Sequence, residues 1–389
     1  MTTVAGQLET LVADMAALLG GPCVLEDADF NLITYAAQGE VDAVRQRSIL
    51  ERRTSPEIRD WFHGHGIRTA EQPVRTPADE ALQISPRLCV PARHQGRTYG
   101  YFWLIDPDGR VDESLWPDAM LIADTAGVLL SQAGRRQARI EAHLADLLGF
   151  DGADTRQAAR GLSALTGLDL EAPVRCVLVA GPARSLEVAA RRARPGIVWA
   201  EHAGPDRLVI APGARVPDPA PSDDLLALLS TPGPGGQALA TSLRLGVGPI
   251  VPGLARLPDS WAAARTALRV AQRRAHDLPG GSAAARWDDL GALQLLQVLG
   301  SDDLRRTVLS GRPGAFALDG DPVLVRTART YLDEACSPGR TSAALTIHRQ
   351  TLYHRLRQIE AAAGVDLGVG KDRMRLHLAL TFRDYVTTG

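Results

Sequence analysis

Side chains of the types that can hydrogen-bond to bases or phosphates are concentrated in one segment, TIHRQTLYHRLRQIE at residues 346–360. On a helical wheel with about 100° per residue, Leu352, Leu356 and Ile359 fall on one buried stripe. Glutamine can bond an adenine edge in two places, and threonine and histidine can bond bases or phosphates. The pattern predicts a helix that contacts base pairs in a major groove. The residues predicted to point away from the stripe are Gln350, Thr351, Tyr353, His354 and Arg357.

Two arginines flank the buried stripe of this helix. Arg349 and Arg355 lie on either side of it, from where they cannot point straight at base edges. Phosphate contacts or internal salt bridges suit such positions better. We predict that Arg349 contacts the DNA backbone and rank Arg355 below it.

The segment before this helix predicts the element that positions it. Ser337 can cap a helix whose first residue is Pro338 and which runs to about residue 345. A tight turn at 346–348 then leads into the second helix, which ends at Gly364. This is the layout of a helix-turn-helix at about 337–364, although any two short helices with a polar face would imitate it.

Charge supports an anionic partner at this end of the chain. The net charge of the 389 residues is -2, but from residue 320 onward ten Lys or Arg stand against seven Asp or Glu. No apolar run approaches the ~20 residues of a bilayer span, and the first twenty residues are acidic where a signal peptide would be basic. We therefore expect a cytoplasmic protein without a membrane partner.

The rest of the chain is long enough for two further domains. Residues 1–135 carry an amphipathic helix, two hairpins (23–25 with 32–35, and 88–92 with 98–105) and intervening helices around 41–53 and 56–66. Strand-like runs alternate with helices in the middle region, which predicts an α/β domain at 136–290. Residues 291–389 have only helix signals. The predicted fold class is multidomain α+β.

A long helix is predicted to connect the first two domains at about 115–148. Its apolar residues recur at intervals of four and three, which is typical of helices that pair. We predict that it supports self-association into a homodimer or a higher oligomer. The residues of this stripe are Ile122, Ala126, Leu129, Ala133, Ile140, Leu144 and Leu147.

The first domain offers candidates for binding a small anionic or amide-rich molecule. Arg45 shares a helical side with Asp42 and Ser48, and an arginine can clamp a carboxylate by two parallel hydrogen bonds. Three aromatic residues alternate along one strand and are predicted to line one of its faces. A surface salt bridge and an ordinary core are the alternative interpretations. The candidate ligand-binding residues are Arg45, Arg87, Tyr99, Tyr101 and Trp103.

The segment at 346–367, followed by KDRMRLHLAL, resembles the C-terminal helix-turn-helix of PucR/CdaR-type bacterial transcriptional regulators. Gln350 replaces the usual asparagine of the family's HRxTLxxRL core, which leaves base preference there open. Segments at 253–272 and 287–296 are similar to the family's central region, and 41–50 and 87–106 to the sensor of actinobacterial members. The resemblance implies a GAF-like or PAS-like sensor, a degenerate GGDEF-like domain and an all-α DNA-binding domain.

A signalling enzyme is the main alternative, because true GGDEF domains synthesise cyclic di-GMP. The corresponding turn here is predicted at 204–208, where Pro205 replaces the second glycine and Arg207 stands in place of the second acid. Catalysis by this domain is therefore predicted to be lost. His63 and His65 lack a third ligand at suitable spacing, so we predict neither metal nor cofactor.

We therefore expect a ligand-responsive transcriptional regulator of a metabolic or biosynthetic operon that is not an enzyme. Its expected partners are double-stranded DNA with an inverted repeat, a small-molecule effector and a second copy of itself. A sensor that acts only through a protein partner is the third possibility.

Overall fold

The computed structural model describes residues 4–36, 54–149, 155–182, 185–186, 197–201, 206–212, 243–273 and 284–386. The chain forms two compact units that meet in sequence between Arg139 and Ile140. Each unit contains one five-stranded sheet with helices, which confirms the mixed α and β fold class. No helix within these ranges is long and apolar enough to cross a membrane.

The first unit consists of a sheet with helices on both faces. The strands lie in the order β2-β1-β5-β4-β3 and are all antiparallel, and the predicted hairpins β1–β2 and β4–β5 are confirmed. The predicted helix around 41–53 lies outside the described residues. The described elements are α1 (Val4–Leu19), β1 (Cys23–Asp27), β2 (Leu32–Ala36), α2 (Pro56–Gly64), β3 (Val74–Thr76), β4 (Arg87–His94), β5 (Arg97–Ile105) and the first part of α3 (Trp116–Leu148).

Alternation along β5 separates two cores. Phe102 and Leu104 pack with α1 and the first half of α3 on one face of the sheet. Tyr101 and Trp103 pack with Phe30 and α2 on the other face. Because both faces are covered, the successive residues from Gly100 to Leu104 are all buried.

Tyr99 departs from the predicted strand face. The β4–β5 pairing passes from Ala92–Gly100 to Arg93–Thr98, which leaves Tyr99 without a partner in a β-bulge. A side-chain interaction with Ser131 of α3 lowers the pKa of Tyr99. The prediction that Tyr99 shares a face with Tyr101 and Trp103 is therefore wrong, because the bulge interrupts the alternation of side chains.

The apolar stripe of α3 is covered in large part within the chain. Ala126 belongs to a core of the first unit. Ile140, Leu144 and Leu147 are buried in the main core of the second unit, whereas Ala133 is exposed. The helix is thus confirmed, but much of the stripe predicted to support self-association is already buried in cores of this chain. Periodicity alone could not distinguish a core contact from a subunit contact.

The second unit is built on a mixed sheet with the order β10-β9-β6-β8-β7. Strand β6 is buried throughout and pairs antiparallel with β8 and β9, while β10 runs parallel to β9. The described elements up to this sheet's last strand are the end of α3, α4 (Thr155–Thr166), β6 (Val174–Ala180), β7 (Val198–Glu201), β8 (Arg207–Pro212), β9 (Arg244–Val247), α5 (Leu257–Arg273) and β10 (Ala284–Arg286).

Helix α5 packs closely on this sheet because two glycines leave room for its backbone. A Cβ on Gly246 would overlap the carbonyl oxygen of Ala264, and one on Gly248 would overlap that of Ser260. The Ser260 hydroxyl donates to the Pro249 carbonyl at 2.7 Å and accepts from the Cys176 amide at 2.9 Å. These bonds fix α5 against β6.

The chain continues from β10 to Val386 as helices, which agrees with the predicted all-helical module. A short 3₁₀ helix at Gly291–Gln297 packs on α5, and the final turn Arg383–Tyr385 follows the last α-helix. The α-helices of this part are α6 (Ser301–Arg306), α7 (Gly311–Asp319), α8 (Pro322–Asp333), α9 (Pro338–Leu345), α10 (Arg349–Ala363) and α11 (Gly370–Phe382).

Candidate nucleic-acid interface

Helices α9 and α10 form the predicted helix-turn-helix, and their bounds confirm the sequence-based helices. Ser337 caps α9, its hydroxyl accepting from the amide of Arg340. Thr346 ends α9 in the left-handed conformation with φ 54°, and Gly364 ends α10 with φ 64°. His348 caps α10, its Nδ1 accepting from the Gln350 amide at 3.3 Å. Local side chains thus set both ends of the turn.

The buried stripe of α10 anchors the helix to its neighbours. Leu352, Leu356, Ile359 and Ala363 are all buried. They share one core with residues of α7, α8 and α11. This packing fixes the rotation of α10 about its axis and therefore decides which side chains face outward.

The opposite side of α10 is polar and exposed. All five residues predicted to face outward are exposed to solvent, and Tyr353 retains 51% of its accessible surface. Arg349, at the helix start, is exposed too. The geometry therefore presents the first two turns of α10 as one surface of hydrogen-bonding groups. Their contacts with DNA stay predictions.

The cations of the helical region fall into two groups. Several guanidinium groups are held by the chain itself: Arg340 pairs with Glu334 at 3.0 Å, and Arg312 donates to the Ala361 carbonyl. By contrast, the side chains of Arg326, Arg349 and Arg357 form no ion pair or hydrogen bond with any residue in the described ranges. These three remain able to pair with an anion.

Arg355 occupies an intermediate position. It is half-buried, and its Nη1 donates to the Thr327 hydroxyl of α8 at 3.4 Å. This internal contact agrees with its lower rank in the sequence analysis. Arg355 also lines a cleft between α8, α9 and α10.

The other flank of α10 is braced by the loop before α11. Glu360 accepts a hydrogen bond from the Leu367 amide at 2.9 Å. Tyr331 of α8 and Tyr353 line a cleft on this side. Burial raises the pKa of Tyr331, so its phenol stays neutral. Because Tyr353 lines this cleft, it lies at the edge of the outward surface of α10 and not in its centre.

Three arginines that the sequence analysis did not single out fasten the end of α11. Arg269 donates to the Tyr385 carbonyl at 2.8 Å, and Arg273 donates to the Asp384 carbonyl at 3.2 Å. Arg329 of α8 pairs with the Asp384 carboxylate at 3.1 Å and donates to the Leu380 carbonyl. Since Arg269 and Arg273 belong to α5, this arginine clamp joins the sheet domain to the helix-turn-helix.

The candidate ligand residues of the first unit are partly brought together. Tyr101 and Trp103 are each 2% exposed, and Trp103 lies 4.5 Å from Phe62 between ring centroids. Burial raises the pKa of Tyr101 to about 12. Arg87 is buried with its guanidinium 5.5 Å from the Phe62 ring. Tyr99 lies apart in the bulge, and Arg45, with Asp42 and Ser48, lies outside the described residues.

The predicted GGDEF-like turn is described only at its end. Pro205 lies outside the described residues, whereas Asp206 directly precedes Arg207, the first residue of β8. Burial raises the pKa of Asp206. Arg207 is therefore the first residue of β8, at the position predicted to carry an arginine in place of the second acid.

Family models match two segments of the chain. Residues 324–382 match the PucR C-terminal helix-turn-helix domain, which covers α8 to α11. Residues 150–270 match the GGDEF-like domain, which covers α4, strands β6 to β9 and most of α5.

Two curated relatives are similar over limited segments. The proline-responsive transcriptional activator PutR of Bacillus subtilis (strain 168) is 29% identical over 28% of this chain and 28% of its own. The carbohydrate diacid regulator of Escherichia coli (strain K12) is 30% identical over 35% of this chain and 34% of its own. The matches thus span only about a third of each relative's length.

Solved structures show weak similarity. A regulator of polyketide synthase expression from Bifidobacterium adolescentis is 19% identical, with a TM-score of 0.31, over 64% of this chain and 98% of that one. The domains are identified by the matches to the two family models. The chain carries a GGDEF-like domain and a PucR C-terminal helix-turn-helix, which confirms the predicted resemblance to PucR/CdaR-type transcriptional regulators.

Proposed function

We propose that this protein is a ligand-responsive transcriptional regulator that binds operator DNA through α10. The observation that carries this proposal is the outward surface of α10, where Gln350, His354 and Arg357 are exposed together on a rigidly anchored helix. Glutamine supplies a donor and an acceptor for a base edge, and the uncommitted Arg357 supplies charge. Both curated relatives are named as regulators, in agreement with this role.

We further propose that the regulator acts as a homodimer in the cytoplasm on an inverted repeat. A two-fold symmetric protein presents two copies of α10, so half-sites about one helical turn apart suit it. The exposed part of α3 around Leu121, which is 68% exposed, is our candidate for part of the dimer contact.

The effector in this proposal is a small metabolite bound by the first unit, a GAF-like sensor. The names of the two relatives refer to proline and to carbohydrate diacids, which supports a metabolite as the signal. Arg45, Arg87, Tyr101 and Trp103 remain the candidate contacts. Phe30 and Phe62 pack against Trp103, so a ligand using that ring has to displace one of them.

Catalysis is not part of the proposed function. The GGDEF-like domain serves in our proposal as a structural link, because β6 carries no carboxylate and Arg207 opens β8. A domain of this kind lacks the acids needed to hold Mg²⁺ against a nucleotide phosphate at these two strands.

Crosslinking the protein to its genome and sequencing the bound fragments tests the proposal. Wild-type protein is expected to enrich a few promoter fragments, and the double variant Gln350→Ala/Arg357→Ala to lose that enrichment. Arg160→Ala, an exposed arginine on α4, controls for the loss of charge and should keep it. Equal enrichment by all three proteins would exclude α10 as the reading element.

A further inference from the structure

A cleft of about 390 Å³ lies beside the turn between α9 and α10. We call it the turn cleft. It is bordered by the start of α8, the end of α9 and one flank of α10. Its lining residues are Pro322, Val323, Arg326, Thr327, Leu345, Ile347 and Arg355.

The turn cleft is cationic. Arg326 and Arg355 both line it, and its lining includes no carboxylate. Arg355 is steadied by its hydrogen bond to Thr327, whereas the exposed Arg326 has no ion-pair partner among the residues of the described ranges. Two arginines from different helices therefore line one space, which favours an anion with several oxygens.

The position of the turn cleft beside α10 indicates which anion it would bind. Arg355 lies on the flank of the buried stripe, and Thr351, one turn earlier, lies between that flank and the outward surface. When a helix enters the major groove, about 12 Å wide, a phosphate backbone runs along each of its flanks. The turn cleft then faces one of the two backbones.

The apolar part of the lining suits the same ligand. Val323 is 50% exposed, and it stands with Leu345 and Ile347 beside the two arginines. Apolar side chains at a phosphate site can pack on the deoxyribose next to it and reduce the local dielectric constant, which strengthens the ionic contact.

We infer that Arg326 and Arg355 together bind one phosphate of the operator backbone in the turn cleft. This inference rests on the proposed function and adds to it a DNA contact from α8, outside the helix-turn-helix itself. Arg326 positions the protein on the duplex and carries no information about base sequence.

The salt dependence of DNA binding tests the inference. The probe is a duplex containing a promoter fragment recovered by genome crosslinking, and affinity is measured for the full chain between 50 and about 200 mM salt. Arg326→Ala is expected to reduce the slope of log affinity against log salt by about 1. Arg326→Lys keeps the charge and should keep the slope.

Arg375→Ala is the matched control. Arg375 is exposed on α11 near Gly311, away from the turn cleft, so its removal should leave the slope unchanged. An unchanged slope in Arg326→Ala, or an equal decrease in Arg375→Ala, overturns the inference.

Two further outcomes separate the alternatives. If wild-type protein shows no preference for the recovered fragment, the proposed function itself fails. If Arg326→Ala binds DNA like wild type yet loses transcriptional regulation in vitro, the turn cleft docks an acidic protein partner and the phosphate assignment is wrong.

Discussion

Gly127 of α3 lies directly on the backbone of Arg93 in β4. A Cβ at Gly127 would lie 2.7 Å from the Arg93 amide nitrogen and closer still to its carbonyl group. We expect Gly127→Ala to lower the free energy of unfolding by about 1 to 3 kcal/mol, because backbone atoms cannot move aside cheaply. Thermal unfolding of the full chain followed by circular dichroism measures this.

The same helix provides the control for this substitution. Nothing lies within 4 Å of a Cβ at the exposed Gly134. Gly134→Ala should stabilise by roughly 0.5 to 1 kcal/mol, because alanine is the better helix former. A Gly127→Ala protein that is as stable as Gly134→Ala would contradict the close contact of α3 with β4.

Substitutions on α10 should distinguish a residue that contacts bases from a residue that contacts the phosphate backbone. Gln350→Ala is expected to relax base choice at one operator position by ~1 to 3 kcal/mol, since it removes a donor and an acceptor. Arg349→Ala should weaken binding to all sequences alike and lower the salt slope. Fluorescence anisotropy with a panel of singly substituted operators distinguishes the two, and intact affinity in both variants would refute this use of the helix.

The arginine clamp should contribute measurably to stability. Arg269→Ala removes the hydrogen bond to the Tyr385 carbonyl, and we expect a loss of about 1 to 3 kcal/mol in urea unfolding. Arg265→Ala, one turn earlier and stacked 4.8 Å from the Trp261 ring, should cost no more than about 1 kcal/mol. Equal losses in the two variants would mean that the clamp adds nothing specific.

The GGDEF-like domain should show no cyclase activity. Purified protein incubated with GTP and Mg²⁺ is expected to yield no cyclic di-GMP by chromatography, because Arg207 opens β8 and β6 offers no acid to a metal ion. A known active cyclase run in parallel verifies the assay. Product that accumulates with the amount of this protein would restore the enzyme hypothesis.

Self-association is best tested at Leu121. Substituting Leu129 and Ile140 would mainly damage cores, because Ile140 is buried and Leu129 packs against the core of the first unit. Leu121→Glu places a charge at an exposed position and should reduce the dimer fraction in light scattering. Thr10→Glu on α1 adds the same charge at another exposed position and serves as the control. If the dimer fraction is unchanged in Leu121→Glu, the dimer contact lies outside this part of α3.

Local signals in the sequence were sufficient for the helix-turn-helix. Ser337 and Gly364 mark helix ends through their own backbone and side-chain chemistry, and the spacing of Leu352, Leu356 and Ile359 identifies the buried side of α10. These features depend on residues within a few positions of each other, so they can be recognised in a single sequence.

Features that join distant segments could not be predicted in the same way. Arg269 and Tyr385 are 116 residues apart, and no short pattern connects them. The bulge at Tyr99 depends on the pairing register of β4 and β5, which hydrophobic alternation does not specify. Arg326 lies outside the helix-turn-helix motif, and only the folded arrangement brings it beside Arg355.

Helix α5 is covered on two sides, by the sheet through Trp261 and Leu268 and by the helical region through Val270 and Ala271. Its amide hydrogens therefore exchange with deuterium only when one of these layers opens. The end of α11 shares the second layer through Phe382 and Tyr385, so its amides should gain comparable protection. Deuterium uptake in α5 and at the end of α11 would then report one cooperative opening of the second unit. An effector that shifts this opening would change the exchange rates of both helices together.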